Sequence, residues 1–133
     1  MKEVTRAIIT NEQGQVLLGK RAKGMGEGKY ALVGGKPDQG ETPIKAVVRE
    51  VKEELGLDFD PTLILERVDT QTDPINPWKT YFFTGTATGV IQLKDDEITD
   101  IIFVSEEDLD GLDIAFDHRD RLKDFFRQNL QHN

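Results

Sequence analysis

The sequence predicts an α/β fold in which a mixed β-sheet lies between helices, an α/β/α sandwich. Three observations carry this. β-prone runs open the chain at Val4–Thr10 and Gln15–Leu18. A helix with clear punctuation at both ends lies between Thr42 and Gly56. Further β-prone runs then lead to an amphipathic helix from His118 to about Leu130. Strands, helix, strands, helix is an order that packs as layers about a shared core. At 133 residues the chain is expected to form one domain, residues 1–133.

In chain order, the turn Asn11-Glu12-Gln13-Gly14 joins the first two runs as a hairpin. Lys20 to Lys29 is a glycine-rich basic stretch holding Arg21, Lys23, Lys29, Gly24, Gly26 and Gly28. It lacks the spacing of a P-loop and of a dinucleotide fingerprint. It reads either as a surface loop or as a basic loop that meets a phosphate through Arg21, Lys23 and Lys29. Tyr30 to Val33 is a short strand.

Thr42 can cap the central helix and Pro43 suits its first position. Gly56 suits the left-handed residue beyond its end. At 100° per residue, Ile44, Val47, Val48, Val51 and Leu55 form an apolar face, with Glu50, Glu53 and Glu54 on an adjoining one. Carboxylates crowded into the last turns repel one another and oppose the helix dipole. A divalent cation removes both penalties, and glutamate oxygens suit Mg²⁺ or Mn²⁺.

After the helix, Asp58–Asp60 is a connection closed by Pro61, and Thr62–Thr70 is a strand. Gln71–Pro77 is a loop. Trp78–Ala87 is a strongly β-prone strand, and Gly89–Leu93 continues it after a bend. Trp78 reads as a core or interface residue, or as a platform on which a base stacks. Lys94–Glu97 is acidic, Ile98–Val104 is the last strand, and Ser105 starts a helical turn. Asp117 can cap the final helix, whose stripe is Leu122, Phe125, Phe126 and Leu130.

The spacing Gly35, five residues, Glu41, seven residues, then Arg49-Glu50-Val51-Lys52-Glu53-Glu54-Leu55-Gly56-Leu57 resembles a complete Nudix (MutT-like) box. The hairpin and its Leu17–Arg21 ending also resemble the start of many Nudix domains. Tyr30 and Val33 depart from the Trp and Pro common there. The resemblance implies the Nudix α/β/α fold and attack of water on a phosphoanhydride of a nucleoside diphosphate linked to another group. It implies Mg²⁺, or Mn²⁺, held by Glu50, Glu53, Glu54 and the Gly34 carbonyl. Arg49 would orient a neighbouring glutamate, and Glu41 would anchor the loop. A further acidic residue often completes such a site; Glu97 matches best, with Asp95 and Asp96 as competitors. Glu53, Glu50 and Glu97 each remain open as the general base.

The resemblance also frames the substrate. The basic loop and the Leu17–Arg21 ending favour a (d)NTP cleaved to NMP and pyrophosphate. Ala115-Phe116-Asp117-His118 resembles a segment of Nudix enzymes acting on ADP-ribose, which makes ADP-ribose or another nucleoside diphosphate sugar the alternative. His118 reads equally as a plain first-turn polar residue. A non-catalytic Nudix module that binds a nucleotide or protein is disfavoured, because every box carboxylate is present.

Composition adds exclusions. The net charge of −8 disfavours polymeric nucleic acid and anionic membranes, but not a small phosphorylated nucleotide arriving with its metal. Without cysteine, disulfides and thiolate metal sites are excluded. With no membrane span and no signal-peptide core in the sequence, the expected location is cytoplasmic. A homodimer is left open.

Overall fold

The computed structural model of the chain describes residues 1–70, 74–93 and 96–131, with side chains to residue 128. In order the elements are β1 (Lys2–Ile9), β2 (Val16–Arg21), β3 (Tyr30–Ala31), β4 (Val33–Gly35), α1 (Pro43–Leu55), β5 (Asp58–Asp69), β6 (Trp78–Thr88) and β7 (Ile98–Val104), then a 3₁₀ turn (Glu106–Gly111) and α2 (His118–Gln131). The strands divide between two sheets, ordered β4-β1-β6-β5 and β3-β2-β7. β1 and β6 run parallel, and their neighbours antiparallel. No helix among the described residues is long and apolar enough to cross a membrane.

The predicted opening hairpin is only a corner. Asn11 turns the chain by accepting from the N–H groups of Gln13 and Gln15 through its side chain. Thr10 and Val16 then form a single bridge, after which β1 and β2 part into different sheets. The predicted Tyr30–Val33 strand is likewise split, with β3 on β2 and β4 on β1. Gly89–Leu93 is not a strand; Gln92 N–H instead donates to the Leu55 carbonyl and closes the end of α1. β5 starts earlier than predicted, at Asp58, and contains Pro61. An edge strand tolerates a proline because half its N–H groups need no strand partner.

Strand alternation creates two cores. Ala7, Ile9, Leu17, Val33 and Phe83 meet Val47, Val51 and Leu55 of α1. Ile8, Val16, Leu18, Leu32 and Phe82 point the other way and meet Leu122 and Phe125 of α2. Successive residues of one strand thus anchor opposite helices, which is the predicted sandwich. Leu55 and Leu122 are fully buried. Truncating either to Ala would cost about 2–5 kcal/mol. The side chain of Leu130 lies outside the described residues.

α1 begins at Pro43, with Thr42 Oγ1 accepting from Lys45 N–H, and ends at left-handed Gly56. Its buried face differs from the predicted one. Ile44 and Val48 are 48% and 37% exposed, whereas Ala46 and Glu54 are buried. The helix is rolled by one row, so that Ala46, Glu50 and Glu54 turn inward beside Val47, Val51 and Leu55. Gly35 of β4 permits this, since a Cβ there would stand 2.5 Å from the Glu50 carboxyl carbon.

Leu32 carries the chain from one sheet to the other, so no strand partner serves its backbone. Its N–H donates to His118 Nδ1 at 3.1 Å, and its carbonyl accepts from Arg6 Nη1 at 3.0 Å. Because Nδ1 accepts, the imidazole is neutral with its proton on Nε2. Burial, and then the charges of Arg6 and Arg21, hold the His118 pKa well below its ordinary value. The unfolded chain therefore takes up a proton near pH ~6.5 that the fold refuses. The contribution of this group is full above that pH and is lost as pH falls, by up to ~1.4 kcal/mol per pH unit. We expect the stability gap between wild type and His118→Gln, from urea unfolding at several pH values, to narrow between pH ~6.5 and ~5. A gap independent of pH would show that His118 folds no differently when charged.

Candidate metal centre and substrate cleft

The inward row of α1 delivers two carboxylates to the open end of the β4-β1-β6-β5 sheet. The backbone just before β7 delivers a third, held there by Ala22 N–H donating to the Glu97 carbonyl at 2.8 Å. One oxygen each from Glu50, Glu54 and Glu97 lies within 4.8 Å of the others. Glu54 is 4% exposed and Glu50 half-buried. Burial raises the Glu50 pKa, Arg49 opposes this, and Glu53 and Glu97 raise it further. At such separations each charged pair repels by roughly 3 kcal/mol at an effective dielectric near 20.

Arg49 holds the arrangement in place. Its Nε and Nη2 donate to the two oxygens of Glu41, each at 2.9 Å. Nη1 donates to Glu50 Oε1 at 3.0 Å and to Glu53 Oε2 at 3.1 Å, and Nη2 also reaches the Lys36 carbonyl. Glu41 in turn accepts from Asp38 N–H. The Arg49 hydrogen bonds hold the Glu41 carboxyl down at about 2, and Glu41 raises the guanidinium pKa. This fork ties the loop to the helix and aims Glu50.

Two cavities meet at this point. The larger, about 500 Å³, is lined by Gly34, Gly35, Glu50 and Glu97 at one end and by Trp78, Phe116, Asp117 and His118 at the other. The smaller, about 250 Å³, is lined by Glu54, Glu97, Gly34, Arg21 and Lys23. Arg6 and Arg21 line both. Phe116 has a φ of +59°, a left-handed conformation that costs a bulky residue about 1–3 kcal/mol. It is held there because Tyr30 and Ile114 bridge, with Ala115 N–H donating to the Tyr30 carbonyl. The guanidiniums of Arg6 and Arg21 each lie 5.2 Å from its ring centroid.

The residues singled out in the sequence are thus distributed unevenly. Glu50, Glu54 and Glu97 converge, with Gly34 beside them. Glu53 does not join them; its half-exposed side chain pairs with Arg49. Asp96 pairs with Lys23 at 3.0 Å, and Asp95 lies outside the described residues. Arg21 donates to the Met25 carbonyl and lines the cleft. Lys29 lies 3.8 Å from Asp113 and lines neither cavity. Trp78 lines the larger cavity, with Lys2 and Lys36 about 5 Å from its ring. Gln71–Asp73 of the predicted loop lies outside the described residues. Arg6 was not foreseen, although a charged residue inside the apolar run Val4–Ile9 is a signal that could have found it. Arg67 and Asp69 also line the cleft, with no signal in the sequence.

Three carboxylates at this spacing, with no nitrogen or sulfur donor among them, fit a hard divalent cation such as Mg²⁺ or Mn²⁺. Glu50, Glu54 and Glu97 are the residues that could hold it. The cation would relieve the repulsion among them and still face the cleft.

The chain is similar to several known proteins. The chain is 35% identical over 88 residues to the human 8-oxo-dGDP phosphatase NUDT18, covering 66% of this chain and 26% of that protein. It is 34% identical over 68 residues to the 8-oxo-dGTP diphosphatase of Escherichia coli, covering 50% of this chain and 53% of that one. It thus spans about a quarter of the length of NUDT18 and about half that of the bacterial protein. Among solved structures, the MutT protein of Methanosarcina mazei superposes with a TM-score of 0.81 at 28% identity, over 96% of this chain and 94% of that one. The MutT NUDIX hydrolase of Burkholderia pseudomallei has a TM-score of 0.81 at 25% identity, over 92% and 95%. The NUDIX domain model matches residues 2–127, so the chain belongs to the NUDIX domain family.

Proposed function

We propose that this protein is a Mg²⁺-dependent hydrolase that cleaves a nucleoside triphosphate to a nucleoside monophosphate and pyrophosphate. The observation that carries this reading is the convergence of Glu50, Glu54 and Glu97 at one end of a cleft whose other end is aromatic. A polyphosphate would reach a cation held by the carboxylates at one end, and a base would reach Phe116 and Trp78 at the other. The names of the 8-oxo-dGTP diphosphatase relatives support a triphosphate. The basic loop supports it less than its sequence suggests, because Lys23 and Lys29 are each engaged by an aspartate.

The residues divide the work. Glu50, Glu54 and Glu97 would hold the cation, and Arg49 fixes the oxygen of Glu50. The bound metal would neutralise phosphate oxygens and polarise the attacking water. Glu97, exposed at the mouth of both cavities, is the carboxylate best placed to take a proton from water. Glu53, tied to Arg49, acts as a supporting carboxylate. A cytoplasmic location belongs to the same reading, as does a homodimer through edge strand β5, where Leu63, Ile64, Leu65 and Val68 are exposed.

A second reading has its own observation. Phe116, Asp117 and His118 all line the cleft, and this is the segment that resembles ADP-ribose enzymes. A panel of nucleoside triphosphates and ADP-ribose, assayed with and without Mg²⁺, separates the two. We expect kcat/KM to favour a triphosphate, with monophosphate and pyrophosphate as products. A tenfold preference for ADP-ribose, about 1.4 kcal/mol of transition-state binding, would reverse the assignment. Binding without turnover of any member would indicate a non-catalytic module.

Glu54→Gln and Glu97→Gln should each lower kcat by about a hundredfold or more, in the range of lost electrostatic catalysis. Asp96→Asn should stay within a few-fold of wild type. Equal, small effects in all three would remove the carboxylate cluster from the mechanism. Gly35→Ala should displace the Glu50 carboxylate, weakening Mg²⁺ binding with little change in melting temperature, because the new Cβ meets a movable side chain. Unchanged Mg²⁺ affinity in that variant would show that the position of Glu50 does not matter.

A further inference from the structure

We propose that Arg6 is a substrate-binding residue that, with Arg21, forms a phosphate subsite distinct from the carboxylate cluster and holds the phosphate nearest the nucleoside. The inference rests on the nucleotide reading above and adds a residue that the box does not contain.

Arg6 is 8% exposed, in the middle of β1. Among the described residues its side chain donates from Nη1 to the Leu32 carbonyl, a contact that uses one of its five N–H groups. The charges of Glu54, Glu50 and Glu97 favour its charged form. Burial and the neighbouring Arg21 together lower its pKa to about 10. Tying down one carbonyl requires one donor and no charge. A buried guanidinium has five N–H groups and is costly to desolvate, more so beside a second cation. An anion received between Arg6 and Arg21 offsets both costs.

The position selects the anion. Both guanidiniums flank the Phe116 ring and line both cavities, between the aromatic end and the carboxylate end. A base on Phe116 brings its own phosphate to the arginines, while the more distant phosphates extend to Glu50, Glu54 and Glu97. Arginine forks match phosphate oxygens in geometry as well as charge.

Calorimetric titration in EDTA, with deoxyguanosine 5′-monophosphate and with deoxyguanosine, tests this without metal and without turnover. Wild type should bind the monophosphate at least tenfold more tightly than the nucleoside. Arg6→Met should remove that advantage, weakening the monophosphate at least several-fold more than the nucleoside, and Arg21→Gln should remove part of it. If Arg6→Met does not fold, Arg6→Lys retains a donor for Leu32 and should still lose several-fold for the monophosphate alone. Wild type binding both ligands equally, or either Arg6 variant keeping the full advantage, would overturn the subsite. A protein that shows the arginine-dependent advantage but hydrolyses nothing would overturn the hydrolase reading alone.

Discussion

The close approach of α1 to Gly35 of β4 is the constraint on which the rest of the site depends. A Cβ at Gly35 would occupy the place of the Glu50 carboxylate, whereas one at Gly34 would strike β1 instead, 1.9 Å from the Thr5 carbonyl oxygen. With no Cβ at Gly35, the helix seats its carboxylate row against the strand. Ala46 begins that row and lets the helix come near, and Glu50 and Glu54 follow at one-turn intervals. The apolar row Val47, Val51 and Leu55 supplies the burial that holds the helix down. Packing free energy from one row therefore sustains the electrostatic strain in the other.

That strain is balanced by neighbours, each with a separate task. Arg49 uses its fork on Glu41 and shares its remaining capacity between Glu50 and Glu53. It aims one carboxylate without neutralising the cluster. In the same cavities Arg6 and Arg21 bring positive charge, and His118 stays neutral because a third cation there would be buried beside them. Carboxylates and guanidiniums thus share the cleft lining, an arrangement suited to a ligand carrying both metal and phosphate.

The crossover at Leu32 links these walls to the fold. A chain that leaves one sheet for another exposes a residue's N–H and carbonyl at the changeover, and both are buried here. His118 from α2 and Arg6 from β1 satisfy them, two residues before Gly34. The same two side chains reach the cleft. Strand topology and the shape of the substrate end are therefore set by one pair of hydrogen bonds.

By itself the sequence determined the elements that depend on local chemistry. The cap at Thr42, the left-handed Gly56, the helix between them and the glutamates on one side of it follow from rules that act over a few residues. Alternation along β1, β2 and β6 likewise carried the two-faced sheet. Only the tertiary structure decided how far α1 is rolled, since Ile44 and Val48 are as apolar as the residues that are buried, and the glycine that breaks the tie, Gly35, belongs to a strand. It also decided that Glu53 faces Arg49 while Glu97 joins Glu50 and Glu54, because a charge's partners come from distant parts of the chain. For the same reason the role of Arg6 was hidden. A lone arginine in an apolar strand reads as a local exception until Leu32, Arg21 and Phe116, each from a different segment, are brought around it.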